Sequence, residues 1–152
     1  MKLLAISQRI DQIKGRNEVR DSIDQRLLEF IQCIGYCAVP VPNIFFSRKE
    51  KKSLRDKSNF YEWLARISPD GIILSGGNDL GDYYSRDETE YSLIEYAEKN
   101  KLPLLGICRG MQIIGVKAGS NLISVKGHIN LRHKLIGRID IEVNSFHNKA
   151  LS

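Results

Sequence analysis

Apolar residues in this chain follow two rhythms: short unbroken runs, and repeats at helical spacing. Residues 2–7, Lys2-Leu3-Leu4-Ala5-Ile6-Ser7, read as a buried strand. Ile23, Leu27, Ile31 and Ile34 recur every three or four positions, which predicts a helix capped by Asp21 and stopped by Gly35. Tyr36 to Val41 reads as a second strand, closed by Pro40 and Pro42. Phe60, Trp63, Leu64 and Ile67 mark a short amphipathic helix, with Trp63 as its core anchor. Pro69-Asp70-Gly71 is a turn, and residues 71–75 read as a fully buried strand running into Gly76-Gly77. Asp87-Glu88-Thr89-Glu90 has capping-box spacing and predicts a helix to about Asn100. Leu102 to Ile107 reads as another buried strand, and Arg109 to Ala118 as a helix ended by Gly119. Leu122 to Val125 and Ile136 to Val143 read as further strands, the last alternating apolar and polar as an edge or hairpin strand does.

Strands alternating with helices at this spacing predict an α/β domain with a mostly parallel central sheet, flavodoxin-like in style and covered on both faces. Ligands of such sheets sit beyond the carboxyl ends of the strands. Both Gly76-Gly77 and Cys108 fall at such ends, which is the first functional indication.

Composition narrows the reading. With 152 residues, 42% hydrophobic and 27% charged, the expectation is one globular domain spanning 1–152. No apolar run approaches the roughly 20 residues of a membrane helix, and the N-terminal run is too short for a signal peptide, so a cytoplasmic protein is expected. The net charge is +5, but residues 47–57 hold six cations (Arg48, Lys49, Lys51, Lys52, Arg55, Lys57) against Glu50 and Asp56, hence four of those five charges. That loop reads as a solvated connector or as an attractor of an anionic substrate. No aromatic side chains interleave it to stack on bases, so nucleic acid is not an expected partner. Three cysteines make no disulfide framework, and Cys33 and Cys37, with no second Cys/His pair at zinc spacing, read as small core residues and not as metal ligands.

Cys108 differs. Leu105-Gly106-Ile107-Cys108-Arg109-Gly110 sets a thiol at a strand-to-helix junction with glycine two residues to either side, the pattern of a nucleophile elbow. The positive end of the following helix and the adjacent Arg109 favour a thiolate there. The Arg109 amide is placed to donate to an oxyanion on an attacked carbonyl, and Gly77, ending a neighbouring strand, can present a second amide. Gly76 precedes it in the same turn. Downstream, Val143-Asn144-Ser145-Phe146-His147 follows a strand and offers polar groups.

Four motifs occur in order: Ile-Leu-Ser-Gly-Gly-Asn-Asp at 73–79, Arg86-Asp87-x-x-Glu90, Pro103-Leu-Leu-Gly-Ile-Cys-Arg-Gly-Met-Gln112 and Val143-Asn-Ser-Phe-His147. From about Gly71 to Leu151 the chain resembles a class I glutamine amidotransferase domain, in the peptidase C26 branch of γ-glutamyl hydrolases. The resemblance implies that Cys108 takes the γ-glutamyl group as a thioester, with Gly77 and Arg109 supplying the oxyanion-hole amides. Gly76, Gln112, Ser145, Phe146 and His147 would contact the glutamyl group. Arg86, Asp87 and Glu90 are typical of the branch, although a helix cap suffices as their local reading. Met1 to Arg9, the basic loop and Ser75 to Asp82 resemble one member of that branch, and this resemblance implies a nucleotide-linked γ-glutamyl small molecule as substrate. No metal or organic cofactor is implied.

The family takes its base and orienting carboxylate from a His-Pro-Glu type motif beyond the Ser-Phe-His segment, and these 152 residues contain none. His128 and His133 read as surface histidines in a variable region. The expectation is a domain lacking its C-terminal part. Three readings stay open: a γ-glutamyl amide hydrolase, an ammonia-donating glutaminase subunit, or an inactive binding domain.

Overall fold

A computed structural model describes residues 1–46, 54–135 and 137–152. In chain order the elements are β1 (Lys2–Ser7), β2 (Arg9–Ile13), β3 (Glu18–Ser22), α1 (Gln25–Cys33), β4 (Tyr36–Val41), a 3-10 turn (Asn43–Phe46), α2 (Leu54–Ile67), β5 (Gly71–Leu74), α3 (Tyr84–Asn100), β6 (Leu104–Gly106), α4 (Arg109–Lys117), β7 (Leu122–Ser124), β8 (Ile129–Lys134), β9 (Glu142–Phe146) and β10 (Lys149–Leu151). They fall into two units, Met1–Ile114 and Gly115–Ser152.

The first unit is built on a parallel sheet of order β4-β1-β5-β6, as the alternation of apolar runs and helices predicts. Side chains alternate across it by the period of two of a strand. Ala5, Ile72 and Leu74 face one way, onto Phe60 and Leu64 of α2, Leu93, Ile94 and Ala97 of α3, and Ile113 of α4. Ile6 and Ile73 face the other way, onto Ile31, with Ile23, Leu27 and Leu28 beside them. Each such fully buried Leu, Ile or Phe contributes about 1.5–3 kcal/mol relative to exposure. Phe45, Phe60 and Trp63 cluster at one margin, with ring centroids 5.4–6.4 Å apart, so Trp63 packs against the core as expected.

Chain direction matters more than the layers. From β1 the chain crosses to β4 on one side, and from β5 to β6 on the other. A crevice therefore opens between the carboxyl ends of β1 and β5.

Several local expectations are corrected. Residues 9–22 form the hairpin β2–β3, turned at Gly15 with φ +78°. Asp21 thus lies in a strand, where its carboxylate accepts from the Asn43 amide and Nδ2 at 2.8 Å. Asp24 caps α1 instead, accepting from the Arg26 amide at 2.9 Å. Helix α3 begins at Tyr84, before the supposed capping box, and Tyr83 at its N-cap makes no side-chain bond. Cys33 is exposed and Cys37 half-buried, so neither is a core residue. Arg48, Lys49, Lys51 and Lys52 lie outside the described residues; Lys57 pairs with Glu95 at 2.6 Å.

The second unit contains two antiparallel pairs, β7 with β10 and β8 with β9. The strand expected over 136–143 is displaced. The apolar–polar alternation of 139–143 breaks at Asn144-Ser145, and it is the pairing with β8 that selects Glu142–Phe146. Residues 137–141 are not strand, and the supposedly variable stretch around His133 becomes the partner. Among the described residues no helix is long and apolar enough to cross a membrane.

The closest approach in the first unit is between α4 and β5. A Cβ on Gly110 would stand 2.1 Å from the Leu74 carbonyl oxygen, and one on Gly106 2.5 Å from the Gly110 backbone. Gly110→Ala is expected to cost about 3 kcal/mol or more, because rigid backbone must move. Gly81→Ala faces open space at φ +96° and should cost only about 1–2 kcal/mol, the left-handed penalty of a side chain. Urea unfolding of both variants checks the order; equal losses would contradict it.

Candidate active site

Strand β6 ends at Gly106 and α4 begins at Arg109, leaving Ile107 and Cys108 to make the turn. Cys108 adopts φ +53°, a left-handed conformation that few residues with a side chain occupy. Two bonds hold it there: the Gly110 amide donates to the Ile107 carbonyl at 3.0 Å, and the Gln112 amide to that of Cys108 at 3.2 Å. The thiol is exposed. The Arg109 amide, at the first helical residue, is one of the donors left without an intrahelical acceptor at a helix start. This is the elbow that the sequence predicts.

Gly76 lies against it. A Cβ on Gly76 would meet the Cys108 Cβ at 3.5 Å, so the end of β5 runs directly past the thiol. Gly77 follows with φ +85°. This turn is organised from below by Arg86, which has no exposed surface. Its Nη2 donates to the carbonyls of Ser75 and Gly76, both at 2.9 Å, and its Nη1 to the carbonyl of Gly77 and to Asn78 Oδ1, the latter at 2.9 Å. Peptides are planar and trans, and there is no cis bond among the described residues. With the Gly76 carbonyl drawn onto Arg86, the Gly77 N–H must point the opposite way, clear of the guanidinium. The same holds for Asn78 N–H.

Arg86 is fixed in turn. Its Nε donates to Glu90 Oε1 at 3.1 Å, one turn along α3, and the same oxygen accepts from Ser7 Oγ at 2.8 Å. The Ser75 amide donates to Ser7 Oγ at 2.9 Å, tying the end of β1 into the set. Arg109 closes it, pairing with Asp87 and Glu90. Burial, then the neighbouring Arg9 charge, brings Arg86 down to about 10; burial, then Arg86, does the same for Arg109. Burial raises Asp87 against the opposing pull of Arg109.

Arg86, Asp87 and Glu90 are therefore not a helix cap but a buried charge cluster under the Gly76-Gly77 turn. In the sequence it shows only as Arg and Glu at i and i+4, with Asp between, on a helix following a Gly-Gly turn, a pattern that a helix start shares. Arg109 is likewise corrected in part. Its backbone stands where expected, but its side chain is buried against Asp87 and Glu90 and offers the thiol no free cation. Gln112 is buried one turn along α4.

Ser145, Phe146 and His147 belong to the second unit. Ser145 is buried there and its Oγ donates to the His128 carbonyl at 2.8 Å. Phe146 is exposed. His147 Nδ1 lies 3.0 Å from the Lys149 carbonyl; a carbonyl only accepts, so Nδ1 is the donor of that bond. Its ring packs against His128 at 4.9 Å, and His128 against His133 at 5.1 Å. Among the described residues no group of His, Cys, Asp or Glu could hold a metal ion.

The family model described as glutamine amidotransferase class-I matches residues 19–150. The chain belongs to that family. A γ-glutamyl-CDP-amidate hydrolase of Campylobacter jejuni subsp. jejuni is 40% identical over 86 residues, covering 53% of this chain and 43% of that protein. A CTP synthase of Staphylococcus aureus is 29% identical over 106 residues, 70% of this chain and 19% of the synthase. The crystal structure of a glutamine amidotransferase from Thermotoga maritima shares the fold, with a TM-score of 0.57 at 17% identity over 99% of this chain and 62% of that one. The chain spans under half the length of these curated relatives.

The charge cluster has a checkable cost. Arg86→Met would leave two carboxylates, half-buried Asp87 and buried Glu90, to share the single cation Arg109, and would strip the Ser75, Gly76 and Gly77 carbonyls of their donor; it should destabilise by about 3 kcal/mol or more. Arg86→Met with Glu90→Gln should recover part of that loss. Denaturant midpoints of the two variants measure it; a double variant less stable than the single would contradict the arrangement.

Proposed function

We propose that the chain carries the acyl-transfer chemistry of a γ-glutamyl amide hydrolase, with Cys108 as nucleophile. The observation supporting this is the left-handed Cys108 at the β6–α4 turn, exposed and packed against Gly76. The thiolate attacks the γ-carbonyl, and the tetrahedral oxyanion is met by the Gly77 and Arg109 amides. Collapse breaks the C–N bond, the leaving nitrogen takes a proton, and the glutamyl group stays on sulfur as a thioester. Water then attacks the thioester, releasing glutamate and restoring the thiol. Gly76 and Gln112 contact the glutamyl group in this reading. No metal or organic cofactor takes part.

The substrate we favour is γ-glutamyl-CDP-amidate, giving glutamate and cytidine diphosphoramidate, a donor for capsule phosphoramidate synthesis. The 40% identity to a γ-glutamyl-CDP-amidate hydrolase supports it. A second reading, an ammonia-donating glutaminase unit, draws on the similarity to CTP synthase; its mark would be glutamine turnover that rises when a synthetase partner is added.

An electrophilic diazoketone analogue of glutamine should label the intact chain once, on Cys108, as read by peptide mass spectrometry. Cys108→Ser should abolish the label, whereas Cys33→Ser and Cys37→Ser should leave it. Undiminished labelling of Cys108→Ser would sink the assignment.

A further inference from the structure

We infer that Arg9 is the residue that recognises an anionic leaving group, gripping a phosphoryl oxygen beside the oxyanion turn; this rests on the hydrolase reading above and names its leaving-group subsite.

Four observations converge on it. Arg9 stands two residues beyond the end of β1, at the crevice where the connections from β1 and β5 part, the place where open α/β sheets bind ligands. Its guanidinium covers Gly77: a Cβ there would meet Arg9 Nη1 at 3.2 Å and its Cδ and Cζ at 3.4 Å. The Gly76-Gly77 turn thus has the Cys108 thiol against one glycine and the Arg9 guanidinium against the next.

Register is also fixed. The Ile10 amide donates to Asn78 Oδ1 at 2.8 Å, and Asn78 Nδ2 donates to the Ile10 carbonyl at 3.0 Å. Asn78 in turn accepts from Arg86, so the β2–β3 hairpin carrying Arg9 is tied to the same turn that carries Gly77. Finally, Arg9 is engaged on one side only. Its Nε donates to Asp11 Oδ1 at 2.8 Å, while Nη1 and Nη2 bond no acceptor among the described residues, and the side chain is 47% exposed. An exposed Arg–Asp pair contributes under about 1 kcal/mol by itself. What it does here is orient the guanidinium and leave its two terminal nitrogens forward, the fork that matches two oxygens of a phosphate.

Isothermal titration of the intact chain with CDP, inorganic pyrophosphate and L-glutamate separates the possibilities. Arg9→Gln should weaken CDP and pyrophosphate about tenfold or more, the loss of one charge-assisted contact, with glutamate binding unchanged; Arg9→Lys should recover part of the loss. Equal unfolding midpoints for the three proteins establish that the hairpin is intact. The inference is overturned if the wild-type chain binds neither phosphate probe, if Arg9→Gln binds them as the wild type does, or if glutamate weakens in parallel, which would give Arg9 to the glutamyl carboxylate. These are binding readouts. Failure of Cys108 labelling would sink the hydrolase reading while leaving them standing.

Discussion

The grip of one buried guanidinium on three successive carbonyls governs the active end of this molecule. Peptide planarity converts the position of Arg86 into the direction of the Gly77 amide, because a carbonyl drawn down onto the guanidinium forces the N–H of the same peptide away from it. Nothing in the intrinsic preferences of Ser-Gly-Gly-Asn would choose that orientation; glycine only permits it. A charge so deeply buried is tolerable only with its donors used, and Arg86 directs its donors to the Ser75, Gly76 and Gly77 carbonyls, Asn78 and Glu90. Glu90 links this set to Arg109 at the elbow helix and to Ser7 at the end of β1. Three strand ends are thereby locked to one another by a single group.

Around that lock, glycines make the approaches. Gly110 lets α4 rest on the Leu74 carbonyl, Gly106 lets α4 turn immediately after β6, and Gly76 lets β5 pass the thiol. The elbow is a position where local backbone preference loses to packing: Cys108 holds a left-handed φ because the helix on one side and the sheet on the other leave the turn no other path. Such positions recur where a side chain must be presented outward. The second unit, with Ser145 buried and His147 Nδ1 bonded to the Lys149 carbonyl, has its own locally ordered polar groups.

Much of this was legible in the residues. Unbroken apolar runs gave the parallel strands β1, β5 and β6, since strands buried on both faces need no polar face. Gly-x-Cys-x-Gly at a strand end gave the elbow, and Gly35 and Gly119 gave helix ends. Three features were not legible, each for a physical reason. The β2–β3 hairpin is short and mostly polar, and tertiary bonds from Asn78 and Asn43 hold it where no apolar pattern could reveal it. The charge cluster of Arg86, Asp87 and Glu90 has the same letters as a helix cap; only the fold decides that these side chains point inward. In the second unit, apolar and polar residues alternate only over 139–143, whereas the strand is Glu142–Phe146, because cross-strand pairing with β8 and not the local pattern sets its bounds.

The central claim is that the organised Gly76-Gly77 turn exists to let Cys108 hold an acyl group. Acid quenching of the intact chain during incubation with a γ-glutamyl amide, followed by peptide mass spectrometry, tests it most directly. A γ-glutamyl mass increment on the peptide carrying Cys108, removable by hydroxylamine as a thioester is, is the expected result. No increment on that peptide at saturating substrate, or an increment on Cys33 or Cys37 instead, would contradict the account.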